Sequence, residues 1–279
     1  MRDIIFIADF FVEQLLGGGE LNNDELIDLL IHRGHKVLKI NSHLVDRKFI
    51  SEHKDSNFII ANFINLKAEC RKDLYDKKYV IYEHDHKYLT TRNPGVFKDY
   101  IAPQEAIVNY DFYKKANAIF CQSSFHLDII KKNLTLNNLI NLGGNLWSLK
   151  ALDIIAQLAV RPKANKCSIL SSNIEHKNTR GAITYCEHKD LQYELVANKN
   201  YNDFLTQLGS NEKFVFLPKT PETLSRVIVE ARMMGMSVIT NDNVGATKEE
   251  WFEMKGKDLI DIVIGMRESI PLKIIEVFK

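Results

Sequence analysis

Two glutamates, Glu222 and Glu230, are separated by seven residues in the stretch 218–235. Glu268 and Glu276 show the same spacing, so spacing alone identifies nothing. The surroundings of the first pair set it apart. An apolar run over 214–217 ends in a polar turn. Leu224, Val227, Ile228 and Ala231 then mark the inward face of a helix, and Gly235 leads to a second apolar run, Ser237–Thr240. In a parallel sheet, a loop between a strand and the next helix lies at the carboxyl edge, where such folds bind ligands. A carboxylate placed there can accept hydrogen bonds from sugar or ribose hydroxyls. The bland alternative is a pair of solvated helix charges.

Three other groupings could do chemistry. His176, Lys177 and Arg180 precede Gly181, just after an apolar run at 167–170, and two cations at a strand end can neutralise a diphosphate. Gly17, Gly18 and Gly19 lie between the first strand and the first helix. Glycines there permit positive φ and close backbone approach, and the helix start offers unpaired N–H groups to an anion. Gly-x-Gly-x-x-Gly would need a glycine at Asn22, so the dinucleotide fingerprint is absent. Glu83, His84, Asp85, His86 and Lys87 follow an apolar run at 79–82, with Arg92 a little further on. Polar density of this kind rarely builds a core. Two histidines two residues apart, with no third ligand marked, are a weak metal motif, and no metal site is assigned.

Elements must carry these residues. Short β-branched runs at Ile4–Ala8, 36–40, 58–61, 79–82, Ala118–Cys121 and 138–142 read as buried strands, with helices at 20–33 and 125–133 between them. Gly34 is placed to cap the first helix in the left-handed conformation. A second series starts near residue 166. Strands are expected at 167–170, Tyr193–Val196, 214–217, Ser237–Thr240 and 260–264, and helices at 181–188, 202–208, 224–235 and 247–254. The stretch 160–166 reads as an exposed linker, and Pro271 as the first turn of a last helix reaching Phe278. Alternating strands and helices argue for an α/β protein with parallel sheets.

The chain has 279 residues, 37 basic and 36 acidic side chains and 45% hydrophobic residues, ample for packed cores and without the charge that would call for nucleic acid. The start is interrupted by Asp3, Asp9 and Glu13, so it reads as a first strand rather than a signal peptide. No apolar run approaches the roughly 20 residues that span a bilayer, and the expected location is cytoplasmic. Cys70, Cys121, Cys167 and Cys186 lie far apart and read as reduced core thiols.

The stretch 217–246 resembles the donor-binding segment of retaining GT-B glycosyltransferases. Those carry a Glu–seven residues–Glu pair followed by Glu-Ala, a small-residue turn, a Val-Ile strand and a Gly-Ala pair; Glu230-Ala231, Gly235, Val238-Ile239 and Gly245-Ala246 match. The stretch 17–37, with Arg33-Gly34-His35, and the stretch 118–125 resemble the same family. The resemblance implies two Rossmann-like domains facing across a cleft, at 1–160 on the acceptor side and a compact 161–265 for the nucleotide sugar. A C-terminal helix at 266–279 would pack back on the first domain.

The activity the resemblance implies is transfer of a hexosyl group from a nucleotide diphosphate sugar to an acceptor hydroxyl, with retention and without a metal or other cofactor. The alternatives are another nucleotide-sugar enzyme of this fold, such as an epimerase, or a non-catalytic sugar- or nucleotide-binding protein. By the same resemblance, Glu230 binds the donor ribose, Glu222 lies near the transferred sugar, and the Leu224–Ser225 backbone faces the phosphates. Lys177 takes the place of the family lysine. The family arginine falls on Ser172, a departure for which Arg180 could compensate. Gly18 and Gly19 belong to the donor site. His84, then His86, is the candidate for the histidine that touches the sugar; Glu20, His86 and Arg92 are candidate acceptor or sugar contacts, with a phosphate also open for Arg92. The acceptor is left open among glycan, lipid and small molecule, with peripheral membrane contact allowed. Thr220-Pro221 could itself start the helix and enclose Glu222; the family pattern starts it after Glu222, and that pattern is followed here.

Overall fold

The computed structural model describes residues 2–197 and 200–279 and divides into two compact units. The first takes in the chain up to Leu146 together with Met266–Lys279, and the second is Trp147–Gly265.

In the first unit, β1 (Ile4–Ala8), α1 (Gly18–His32), β2 (Val37–Asn41), α2 (Arg47–Glu52), β3 (Asn57–Ile60), α3 (Ala68–Asp73), β4 (Lys78–Tyr82), α4 (Tyr110–Lys115), β5 (Ala118–Cys121), α5 (Ser124–Asn133) and β6 (Leu139–Asn141) alternate. The sheet order is β2-β1-β3-β4-β5-β6, and every pairing is parallel. Strands β1, β3 and β5 are buried at every position, as their near-continuous apolar sequences demand of strands covered on both faces. Gly34 ends α1 at φ +84, its N–H bonded to the Ile31 carbonyl at 2.9 Å.

The second unit contains α6 (Leu149–Ala159), β7 (Ala164–Leu170), α7 (Thr179–His188), β8 (Tyr193–Val196), α8 (Tyr201–Leu208), β9 (Asn211–Phe216), α9 (Arg226–Met233) and β10 (Ser237–Thr240). Its sheet is parallel, in the order β10-β9-β7-β8. Helix α6, which the sequence reading left without an element, is capped by Ser148 and packs on α8 and α9, so this unit begins at Trp147.

Four expectations need correction. The run 260–264 is no strand: it belongs to α10 (Lys257–Glu276), where buried Leu259, Ile260, Val263, Met266, Ile270 and Ile274 recur at helical intervals. Pro271 therefore lies inside that helix. The stretch 247–254 forms two 3-10 turns, Gly245–Lys248 and Glu250–Glu253, because Gly245 and Ala246 donate their N–H groups to the 222–224 segment. The stretch 160–166 is no free linker: β7 starts at Ala164, and the Lys163 ammonium donates to the carbonyls of Leu158 and Gly209.

The C-terminal part of α10 makes polar contacts within the first unit. Arg33 donates to Glu268 at 2.7 Å, Arg267 pairs with Glu25, and Lys78 donates to the Phe278 carbonyl at 3.2 Å.

A Cβ on Gly34 would meet open space, so only the left-handed backbone opposes a side chain there. Gly34→Ala is expected to cost about 1–2 kcal/mol. Urea unfolding should show a lower midpoint with an unchanged slope; an unchanged midpoint would remove Gly34 as a strained helix stop.

Candidate functional site

Parallel pairing brings the loops that follow the strands to one edge of each sheet, and the sequence-predicted residues fall on those edges. In the second unit three loops are laced together. The 3-10 turn Glu175–Lys177 follows β7, and the His176 carbonyl accepts from the Lys219 N–H at 2.9 Å in the loop after β9. The Asn178 side chain caps α7 and donates to the Leu217 carbonyl at 2.7 Å. In the loop after β10, Asn241 and Asn243 both donate to the Pro218 carbonyl. Glu222 is bridged to Val244: its N–H donates to the Asn243 carbonyl at 2.7 Å and its carbonyl accepts from Gly245 at 2.9 Å. That pairing holds Glu222 in extended backbone, so α9 starts only at Arg226. The family pattern holds here, and the Thr220-Pro221 cap is not used.

These constraints bring Lys177 and Glu222 together. The ammonium donates to both carboxylate oxygens, at 2.8 and 3.1 Å, with neither side chain fully buried. Next to Glu222 in sequence, Leu224 is wholly buried and Ser225 takes φ +75 at the N-cap of α9. Left-handed backbone is costly for serine, and the Ser225 hydroxyl is enclosed without a hydrogen-bond partner. Arg180 is exposed in the first turn of α7. Ser172 occupies the turn before it, its N–H bonded to Thr179 Oγ1 at 3.0 Å.

Glu230 stands one turn into α9 and is 2% exposed. Its Oε1 accepts from the Trp147 indole N–H at 2.9 Å and from the Tyr201 hydroxyl at 2.6 Å. Trp147, Tyr201 and Arg226 were missed by sequence reasoning. Only the Arg226–Glu230 spacing of four on one helix could have signalled any of them.

The first unit holds a second polar group at the end of β4. Lys87, fully buried, is paired with Glu83 and donates to Asp85 at 2.7 Å; Tyr113 donates to Glu83, and Arg92 donates to Asp85 through Nε at 2.7 Å. Burial pushes the Glu83 carboxyl up to about 7 against the pull of Lys87. Burial acts on Asp85 too, but Lys87 and Arg92 outweigh it and hold that carboxyl well below its usual range. Arg92 is thus engaged by Asp85, with half of its side chain exposed.

The histidines are anchored. His84 Nε2 is 2.6 Å from Asn23 Oδ1, and its Nδ1 contacts the Gln122 amide, so both ring nitrogens are engaged. Gly19 lies under this ring: a Cβ there would be 3.7 Å from it. His86 is 2% exposed, with the Tyr88 hydroxyl 3.2 Å from Nδ1. His126 Nδ1 accepts from the Gln122 N–H at 3.2 Å, which makes Nε2 the donor to the Asp85 carbonyl at 3.0 Å. Glu83, His84 and His86 therefore face different partners, and no group of three or more metal-ligating side chains occurs among the described residues.

The glycine expectation is corrected. Gly17 has φ −133, α1 begins at Gly18, and none of Gly17, Gly18 and Gly19 takes positive φ. A side chain on Gly17 would meet the Glu20 carboxylate instead. Glu20 is buried, and burial, with Asp9 nearby, raises its pKa. All four cysteines are free and buried, and among the described residues no helix is long and apolar enough to cross a membrane.

Comparison of the sequence with protein-family models and with curated proteins gives no match. Solved structures do match. The chain is similar to the catalytic domain of starch synthase IV from Arabidopsis thaliana bound to ADP and acarbose, with TM-score 0.60 at 9% identity, covering 99% of this chain and 98% of that one. It is similar to Anabaena HepE in complex with UDP and glucose, with TM-score 0.55 at 12% identity, covering 97% and 90%. An alpha-glucosyltransferase in complex with UDP and a 13-mer DNA containing an HMU base gives TM-score 0.51 at 12% identity, covering 97% and 90%. The fold is that of the GT-B glycosyltransferases.

His126 carries a pH prediction. Burial lowers its pKa from 6.5 to about 4, so between those values the unfolded chain binds a proton that the folded chain refuses. The stability from neutral His126 is complete above pH 6.5 and is lost as pH falls toward 4. Glu83 acts oppositely, its contribution falling as pH rises toward 7. His126→Asn, compared with wild type at each pH, isolates the histidine and should flatten the acid-side slope by up to about 1.4 kcal/mol per pH unit. Equal slopes in calorimetric unfolding would mean that His126 is charged in the folded protein.

Proposed function

We propose that the protein is a glycosyltransferase that moves a hexosyl group from a nucleotide diphosphate sugar to an acceptor hydroxyl, with retention and without a metal. The observation that carries this reading is the Lys177–Glu222 pair at the carboxyl edge of the second sheet. A cation and a carboxylate that already share a hydrogen bond suit a ligand with phosphate at one end and sugar hydroxyls at the other. The start of α9, where the strained Ser225 exchanges strand-like pairing for helix, adds N–H groups and a positive dipole end to the same loop system.

In the reaction the bond between the sugar C1 and the phosphate oxygen breaks, and a bond from C1 to the acceptor oxygen forms on the same face. The acceptor proton passes to the departing phosphate oxygen. Lys177 and the α9 N–H groups stabilise the charge that grows there, so the role asked of the protein is electrostatic and no enzymic nucleophile is required. Glu222, released from Lys177, turns to sugar hydroxyls, and Glu230 to the ribose. The solved relatives bound to UDP and ADP support a nucleoside diphosphate in this role.

The first test is a thermal-shift screen of uridine, guanosine and adenosine diphosphates and their sugars. A true ligand at a hundred times its dissociation constant should add about 2.7 kcal/mol of stability. No shift with any of them would overturn the reading, and sugar interconversion without nucleotide release would replace transfer with epimerisation.

Lys177→Ala separates chemistry from binding. Because the charge on the diphosphate grows as the bond breaks, turnover should fall about a hundredfold while donor affinity changes less. The readout is nucleoside diphosphate released once acceptor is supplied, with EDTA present throughout. Unchanged turnover would remove Lys177 from the mechanism, and loss of wild-type turnover on chelation would remove the metal-free route.

A further inference from the structure

The Glu230 carboxylate is held in an uncommon way. Both bonds to Oε1 come from neutral donors, the Trp147 indole and the Tyr201 hydroxyl. The nearest cation of the same helix, Arg226, approaches Oε1 only to 3.7 Å, longer than a hydrogen bond, and its guanidinium lies 4.3 Å from the centroid of the Trp147 ring. A carboxylate oxygen has two lone-pair directions, and two donors fill those of Oε1. Oε2 takes part in no hydrogen bond among the described residues, and it is not one of the enclosed atoms that lack a partner. The two donors come from different elements, Trp147 just before α6 and Tyr201 at the start of α8, and they converge on a carboxylate carried by α9. One oxygen of this carboxylate is thus fixed by two neutral donors, with Arg226 at ion-pair distance only, and the other is left without a hydrogen bond among the described residues.

We propose that Trp147 and Tyr201 are positioning residues of the donor site: they fix Oε1 of Glu230 so that Oε2 is oriented toward the ribose hydroxyls of a nucleoside diphosphate. This rests on the nucleotide-sugar reading given above and adds to it the means by which ribose is told from deoxyribose. Tyr201→Phe removes one donor with no change in ring packing. Trp147→Phe removes the other, and with it some of the surface under Arg226.

The probes are uridine and guanosine diphosphates and their 2′-deoxy and 3′-deoxy forms, measured by calorimetric titration of the full chain. A hydrogen bond to a charged group is worth about tenfold or more in affinity, so wild type should prefer the ribose form over at least one deoxy form by about that factor. Glu230→Gln should bring the ratio close to unity, and Tyr201→Phe should lower it severalfold, with Trp147→Phe in the same direction. A purely structural role for Tyr201 would weaken ribose and deoxyribose ligands alike and leave the ratio where it was; that result overturns the proposal, as does a ratio near unity in wild type. If neither diphosphate binds wild type, it is the nucleotide-site reading that fails. Should Trp147→Phe not fold, Tyr201→Phe alone decides.

Discussion

Parallel strand pairing is the constraint on which the rest depends. Because all strands of a sheet run the same way, the peptide leaves each strand at one edge, and residues far apart in sequence become neighbours there. Lys177 and Glu222 are 45 positions apart, yet they meet because β7 and β9 are adjacent and the loops that follow them share hydrogen bonds. Asp9 does the same for the first unit. At the end of β1 it accepts from the Ile64 and Asn65 N–H groups at 3.0 Å and pairs with Ser42, so the exits of three neighbouring strands close on one carboxylate.

That edge also carries the costliest group in the molecule. An ammonium with no exposed surface is tolerated only when paired, and Lys87 is paired twice, with Glu83 and Asp85. The arrangement fixes the course of the chain after β4: Glu83 anchors Lys87 and Tyr113, Asp85 anchors Arg92, and the Asp85 carbonyl takes the proton of His126. The polar run there serves mainly to hold itself in place. Arg92 and parts of His84 and Asp85 remain from it at the surface.

The strands of the first sheet were legible in sequence to about a residue, while β7 and β9 each start three residues earlier than expected, since short β-branched runs between amphipathic stretches mark a strand's centre better than its ends. The misreadings have physical causes. The run 260–264 is apolar and β-branched like a strand, and only the longer period from Leu259 to Ile274 reveals a helix. Thr247 to Met254 has helical composition, but Gly245 and Ala246 just before it pair with the 222–224 segment, and the stretch itself closes in short turns between residues three apart. At the site, Glu222 and Lys177 were each expected after a strand, but their direct pairing was not read from the sequence. The partners of Glu230 were not, because Trp147 and Tyr201 come from segments whose approach to α9 is decided by packing alone. The glycines misled in a different way: Gly17 leaves room for the Glu20 carboxylate, and none of the three adopts an unusual dihedral angle.

The Lys177–Glu222 pair has a further consequence for which anions the edge can hold. An exposed ammonium beside a helix start would attract chloride, inorganic phosphate or any passing carboxylate. Here the ammonium already has an internal counter-ion in two-point contact. An incoming anion must compete with it, and one of single charge and single contact gains little by doing so. A ligand that brings several phosphate oxygens at once, and hydroxyls to occupy the displaced carboxylate, replaces both halves of the pair. If this edge is the donor site proposed above, built-in competition of this kind favours large, bifunctional ligands over every smaller rival.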